Sequence, residues 1–169
     1  MTEGALEGRT EGGVAQAPDR NLALDLVRVT EAAGMAAARW AEAKALLTKL
    51  AEADSTPGPA SRERRIPTRL RVLGTLGIVT ARLKQPAEAL RIDSLLKAAG
   101  TVSEGGEIEV MRARIHAQLG DLEEAVALAE AGRGKGWELL SLMNSLADDH
   151  WLVPLRTLPS FRSIMALND

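Results

Sequence analysis

The 169-residue sequence contains no cysteine and no tyrosine. Without cysteine there is no disulfide framework, zinc knuckle, iron–sulfur site or thiol nucleophile. Aromatic side chains are limited to Trp40, Trp137, Trp151 and Phe161. That is too few for a base-stacking surface, so no nucleic-acid partner is expected. Only two histidines occur, His116 and His150, so no multi-histidine metal site is expected in one chain, and no cofactor. No uncharged apolar run approaches the ~18 residues a membrane-spanning helix needs. The N-terminus, MTEGALEGRTEGGVAQAP, is acidic and Gly-rich and lacks the basic and apolar regions of a signal peptide. The expectation is a cytoplasmic chain with no membrane partner, and the Ala, Arg and Gly usage is of a bacterial kind. Period-two alternation is also missing, which argues against a sheet.

Hydrophobic residues make up 46% of the chain, enough for a core in one domain of ordinary size. Ala and Leu, the strongest helix formers, dominate them. The expected fold class is therefore all-α. The net charge of −2 is unevenly spread. Residues 1–61 hold 6 basic and 9 acidic side chains, residues 62–100 hold 9 and 3, and residues 101–169 hold 6 and 11. A basic middle between acidic flanks suits complementarity within the fold, or an acidic protein or peptide partner docked on the middle segment.

Residues 1–18, with four glycines and few large apolar side chains, cannot offset the entropy of ordering and read as a disordered tail. From Asp19 to Ala53 a stripe of Leu22, Leu26, Val29, Ala33, Ala36, Trp40, Ala43, Leu47 and Leu50 recurs at helical spacing. It fits one long helix, or two broken near Gly34 or Trp40. Residues 54–65, DSTPGPASRERR, read as a Pro/Gly/Arg linker. A helix is expected from Ile66 to Gln85, ended by Pro86, which opens the next. That next helix runs to about Ala99, with Leu90, Leu95 and Leu96 on its inner side. Glu107–Leu119 follows, closed by Gly120. Asp121 and Glu124 form a capping-box pattern for another helix, which the glycines of residues 131–136 end. Trp137–Leu146 reads as a helix, and residues 148–169 as short helical turns around Pro154 and Pro159.

Part of this order repeats at an offset of 36 residues. Ala81 matches Ala117, Leu83 matches Leu119, Glu88 and Ala89 match Glu124 and Ala125, Leu90 matches Val126, and Ile92 matches Leu128. Leu76-Gly77 precedes Glu88-Ala89 by twelve residues, and the run Gln118 to Ala125 has the form of a tight inter-helix turn. On these residues the stretch 66–165 resembles tetratricopeptide repeats. Trp151–Met165 is similar to the short segment that caps such arrays. Thr80 stands where that family has an aromatic, Arg112-Ala113 replaces Leu-Gly, and the period is two residues long. The resemblance implies antiparallel helix pairs stacked as a short solenoid over 66–169, with protein–protein interaction as the function. It places Arg71, Ile78, Arg82, Glu107, Arg114 and Gln118 along the partner-binding groove. The Lys/Asn clamp by which some members take C-terminal carboxylates is not matched at these positions.

Residues 18–40, PDRNLALDLVRVTEAAGMAAARW, resemble the start of bacterial class II fructose-1,6-bisphosphatases. That resemblance implies a metal-dependent sugar-bisphosphate phosphatase as the alternative function. The family's carboxylate-bearing runs do not follow Trp40, so no catalytic residue carries over. The chain reads as composite, an enzyme-like first helix joined to a repeat array.

Other constellations point to structure more than chemistry. Glu107 with Glu109, and Glu123 with Glu124, read as solvated helix faces and caps. In Asp148-Asp149-His150, neighbouring side chains diverge on a helix and do not share a metal. His116 reads as a hydrogen-bonded core or groove histidine. Gly132, Gly134 and Gly136 lack the preceding strand of a phosphate loop and read as a terminator. Arg62, Arg64, Arg65, Arg69 and Arg71 crowd around one acid, Glu63, and planar guanidiniums suit carboxylates. The long apolar stripe of residues 20–53 gives a further expectation, self-association through that segment.

Overall fold

The computed structural model describes residues 37–53, 68–100, 105–137 and 146–166. The tail over 1–18, the stretch 19–36, the linker over 54–65 and the body of the helix expected over Trp137–Leu146 lie outside the described residues. The elements are α1 (Ala37–Ala53), α2 (Thr68–Arg82), α3 (Pro86–Ala98), α4 (Glu107–Leu119), α5 (Leu122–Gly134), a 3₁₀ helix over His150–Leu155 and α6 (Pro159–Ala166). The fold is all-α, with no strand among the described residues.

Helix α1 runs through Trp40 without a break. Trp40, Ala43, Leu47 and Leu50 repeat at three- and four-residue steps, so they share one face, and that face is buried. It packs along α2 in the antiparallel sense: Trp40, near the start of α1, lies against Arg82 at the end of α2. Burying side chains such as Leu47 and Leu50 contributes roughly 1.5–3 kcal/mol each. This part of the stripe is therefore core within the chain; the rest of the segment expected to self-associate, residues 20–36, lies outside the described residues.

Helices α2 and α3 form one hairpin, and α4 and α5 a second. The two connecting turns have the same hydrogen bonds 36 residues apart. In the first, Gln85 N–H donates to Thr80 C=O at 3.2 Å and Lys84 N–H to Ala81 C=O at 3.0 Å. In the second, Asp121 N–H donates to His116 C=O at 3.0 Å and Gly120 N–H to Ala117 C=O at 3.3 Å. Both are Schellman motifs, which need a left-handed residue to turn the chain. Gly120 supplies it at φ 88°, and Lys84 does so at φ 59° despite its Cβ. Helix α2 thus ends at Arg82 by its own turn, three residues short of Gln85. Pro86 only opens α3, where its missing N–H costs nothing.

The buried face of α3 is Ala89, Ile92, Asp93 and Leu96. Leu90 and Leu95, expected inside, are 44% and 46% exposed, because small Ala89 occupies the closest approach and displaces them to the flanks. Ala125 is likewise fully buried in α5. At Gly77 three helices converge: a Cβ there would lie 2.5 Å from Ile115 Cδ1 on α4 and 3.0 Å from Ile92 Cγ2 on α3. The small residue is what lets α2 approach both neighbours.

Helix α4 is the wall between two cores. Ile108, Met111 and Ile115 face a cluster built with α1, α2 and α3. Val110, Ala113 and Ala117 face a second, completed by α5 and by Leu146, Leu152, Leu155, Phe161 and Ile164. Gly132 does not end α5. It lies inside the helix and backs onto Gly106: a Cβ on Gly106 would strike the Gly132 backbone, and one on Gly132 would lie 2.7 Å from Val110 Cγ2 and 3.0 Å from the Gly106 carbonyl oxygen. Helix α5 continues to Gly134, and the left-handed glycine is Gly136.

Candidate functional site

The six positions expected along a groove do lie on α2 and α4, and each is already engaged within the chain. Arg71 donates from Nη2 to Glu107 Oε1 at 2.9 Å. Arg82 donates from Nη1 to Gln118 Oε1 at 3.2 Å. In both pairs the partners are 36 residues apart, so repeat-equivalent positions meet across the α2–α4 contact. Helices that stack side by side in the same direction and register produce this pairing. Ile78, one turn before Arg82, is 3% exposed in the core that holds the α1 stripe. Arg114 reaches Asp149 Oδ2, at 2.7 Å from Nε, and also sits over the Trp137 ring. Gln118 Nε2 donates to the Trp151 carbonyl at 2.8 Å.

The far end of this face is closed by residues from both ends of the described chain. Trp40 of α1 and Trp151 of the 3₁₀ helix meet edge to face, with ring centroids 5.9 Å apart. The Arg82 guanidinium lies 5.2 Å from the Trp40 centroid and 5.9 Å from that of Trp151. Such contacts are worth about 0.5–1 kcal/mol where water reaches them. Alongside, Lys44 of α1 donates to Gln85 Oε1 and to Glu88 Oε2 at the α2–α3 turn, each at 2.5 Å. The edge of α2 with the start of α3 is therefore a seat for one amphipathic helix, bounded by Arg82, Gln85 and Glu88.

A second polar group is buried between α3 and α4. Arg112 grips Asp93 through two bonds, Nε to Oδ1 at 2.8 Å and Nη2 to Oδ2 at 3.2 Å. Arg112 is the repeat equivalent of Leu76, so an apolar position has become a fork-to-carboxylate bond. His116 lies with its Nε2 3.5 Å from Asp93 Oδ1 and its Nδ1 3.0 Å from Asp121 Oδ2. Asp93 holds the imidazole pKa above its usual 6.5; burial opposes this and Asp121 reinforces it. For Asp93 burial alone would raise the pKa, but His116 and Arg112 together hold it below 3.8. The group ties α3 to α4 and to the next turn. Asp121 consequently makes no side-chain capping bond; its carboxylate has turned to His116, and the expected capping box does not form.

The Asp148-Asp149-His150 cluster also resolves into structure. Asp149 caps the 3₁₀ helix, accepting from Trp151 N–H at 2.9 Å, and pairs with Arg114. Among the described residues no three His, Cys, Asp or Glu side chains gather as a set able to hold a metal ion, and no helix is long and apolar enough to cross a membrane. Of the arginine cluster, Arg62, Arg64 and Arg65 lie outside the described residues, Arg69 is exposed, and Arg71 pairs with Glu107. The Trp40–Arg82–Trp151 contact and the role of Asp93 had no signal in the sequence beyond the residue types. Comparisons with protein-family models, curated proteins and solved structures found no match to this chain.

Proposed function

We propose that the protein is a non-catalytic interaction module of tetratricopeptide type, whose stacked hairpins bind a helical segment of a protein partner. The observation that carries this is the docking of α1. An amphipathic helix presenting Trp40, Ala43, Leu47 and Leu50 lies along α2, with Lys44 pinned by the acidic edge of α3. The array thus already accommodates a helix by its apolar face, as helix-in-groove recognition does. The repeat-equivalent pairs Arg71–Glu107 and Arg82–Gln118, and the two matching turns, support a stacked-repeat architecture around that seat. Arg71, Arg82, Glu107, Arg114 and Gln118 then serve to hold α2, α4 and the C-terminal segment in register. A partner competes for the α1 seat and leaves those five in place.

The test is a peptide-display selection against the immobilised full-length chain. Enriched peptides should share an aromatic, a small residue and two leucines at helical spacing, with a cation one residue after the small one. Enrichment of extended or proline-rich peptides, or of none, would reject the reading. Release of phosphate from fructose 1,6-bisphosphate that tracks added magnesium or manganese would instead favour the phosphatase suggested by residues 18–40.

A further inference from the structure

We propose that the α1 seat is a self-association site: α1 of one copy docks on α2 of a second copy, and the pair exchanges helices. The proposal rests on the interaction-module reading only for the seat itself.

Three observations lead to it. First, the one helix seen to fit the seat is α1, and a second copy is the partner that carries it by necessity. The buried stripe, the Lys44–Glu88 ion pair at 2.5 Å and the Trp40–Arg82 contact can form between chains as they form within one. Second, α1 has fewer extensive neighbours among the described elements than the helices beside it. Among the described elements it packs extensively along α2 alone, whereas α2 and α4 each pack on several neighbours. An element with fewer packed neighbours opens at lower free energy than the core. Third, the connector allows it. Fourteen residues, 54–67, separate α1 from α2, a span of up to roughly 50 Å when extended. Helix α1 itself is about 26 Å long. The connector is therefore long enough to reach an adjacent copy's α2, with docking on its own α2 favoured by effective concentration until the protein is concentrated. Exchange of an identical element is a low-cost route to a dimer because no new contact has to be invented. Self-association then comes from a docked helix changing hosts and not from an apolar face left exposed.

The test uses the chain's lack of cysteine. Two full-length single variants, Lys44→Cys and Glu88→Cys, are given different affinity tags and mixed at equal, high concentration. They are warmed to the foot of the melting transition, cooled and treated with a short bismaleimide. The ion pair lost is partly exposed, with Glu88 at 38%, so docking survives its loss. Exchange places position 44 of one chain beside position 88 of the other. The mixed dimer, cross-linked between position 44 of one variant and position 88 of the other, should then exceed both same-variant dimers several-fold and grow with protein concentration. In parallel, a labelled peptide of residues 37–53 is titrated into the unaltered chain. A mixed dimer no more abundant than the same-variant products overturns the exchange. If the peptide still binds saturably, the seat stands and only the exchange falls; if it does not bind, both fall.

Discussion

Alanine at position 77 sets two effects of known size against each other. Gly77 is inside α2, where replacing glycine by alanine gains about 1 kcal/mol in helix propensity. Against this, the new Cβ would lie 2.5 Å from Ile115 Cδ1 and 3.0 Å from Ile92 Cγ2. Ile115 is fully buried and Ile92 is 1% exposed, so neither methyl has free space to move into. Overpacking of this kind costs about 1–3 kcal/mol. The net expectation is a loss of about 1 kcal/mol, a fall in Tm of roughly 2–4 °C for a chain of this size. The comparison is Gly134→Ala at the end of α5, where nothing lies within 4 Å and only the propensity gain applies. Ile115→Val deletes the clashing Cδ1. Alone it should cost about 0.5–1.5 kcal/mol, but in the Gly77→Ala background close to nothing, giving a coupling of about 1 kcal/mol. Urea unfolding followed by circular dichroism measures all four proteins of the cycle. If Gly77→Ala is stabilised like Gly134→Ala, or the two changes add to within about 0.3 kcal/mol, then α2 does not cross α4 at this point.

Lys84→Gly should raise stability by about 1 kcal/mol, because a left-handed Lys at φ 59° carries a Cβ penalty that glycine lacks; thermal melts that fall would contradict the Schellman turn. Leu47→Ala should cost about 2–5 kcal/mol, since Leu47 is fully buried, and a variant that unfolds like the parent would mean α1 is not docked. The Asp93–His116 pair sets a pH window. His116 has a raised folded pKa, so its contribution is complete below about 6.5 and is lost as pH rises through the folded value. Asp93 has a lowered pKa, so its contribution is complete above about 3.8 and is lost as pH falls through its folded value. Stability from this pair should therefore peak between those limits, and His116→Gln should remove the decline on the alkaline side. Unfolding free energies measured from pH 4 to 9 decide it; an unchanged alkaline limb in the variant would refute the pairing.

Much of this molecule is legible in its sequence because helical periodicity, small residues and prolines act locally. The buried face of α1 follows from spacing alone, and Gly120 announces its turn. Lys84 does not, since nothing in a lysine marks a left-handed residue; only the 36-residue match to Gly120 hints at it. Asp121 misleads because a carboxylate before a helix ordinarily caps it, whereas here His116, five residues earlier, takes that carboxylate. Leu90 and Leu95 mislead because their apolar character outweighs, on paper, the small residue that sets the crossing. The offset of 36 aligns Arg71 with Glu107 and Arg82 with Gln118, yet it does not say that these pairs satisfy one another. Trp40 and Trp151 lie in the first described helix and in the 3₁₀ helix, and only the fold brings them to one guanidinium.

The central claim, that the edge of α2 and the start of α3 recognise an amphipathic helix, is tested most directly by one titration with its charge reversed. A fluorescently labelled peptide of residues 37–53 is added to the full-length chain and followed by anisotropy. Because each chain's own α1 competes, the apparent affinity is reduced by the fraction of seats that stand open, but binding should saturate. Glu88→Lys loosens the chain's own α1 and the added peptide alike, so the parent peptide should bind that variant about as before, whereas a peptide carrying Lys44→Glu should bind it more tightly than the parent peptide does, since the two side chains meet at 2.5 Å. Binding that fails to saturate, or a reversed peptide that binds the variant no more tightly than the parent peptide does, would contradict the account.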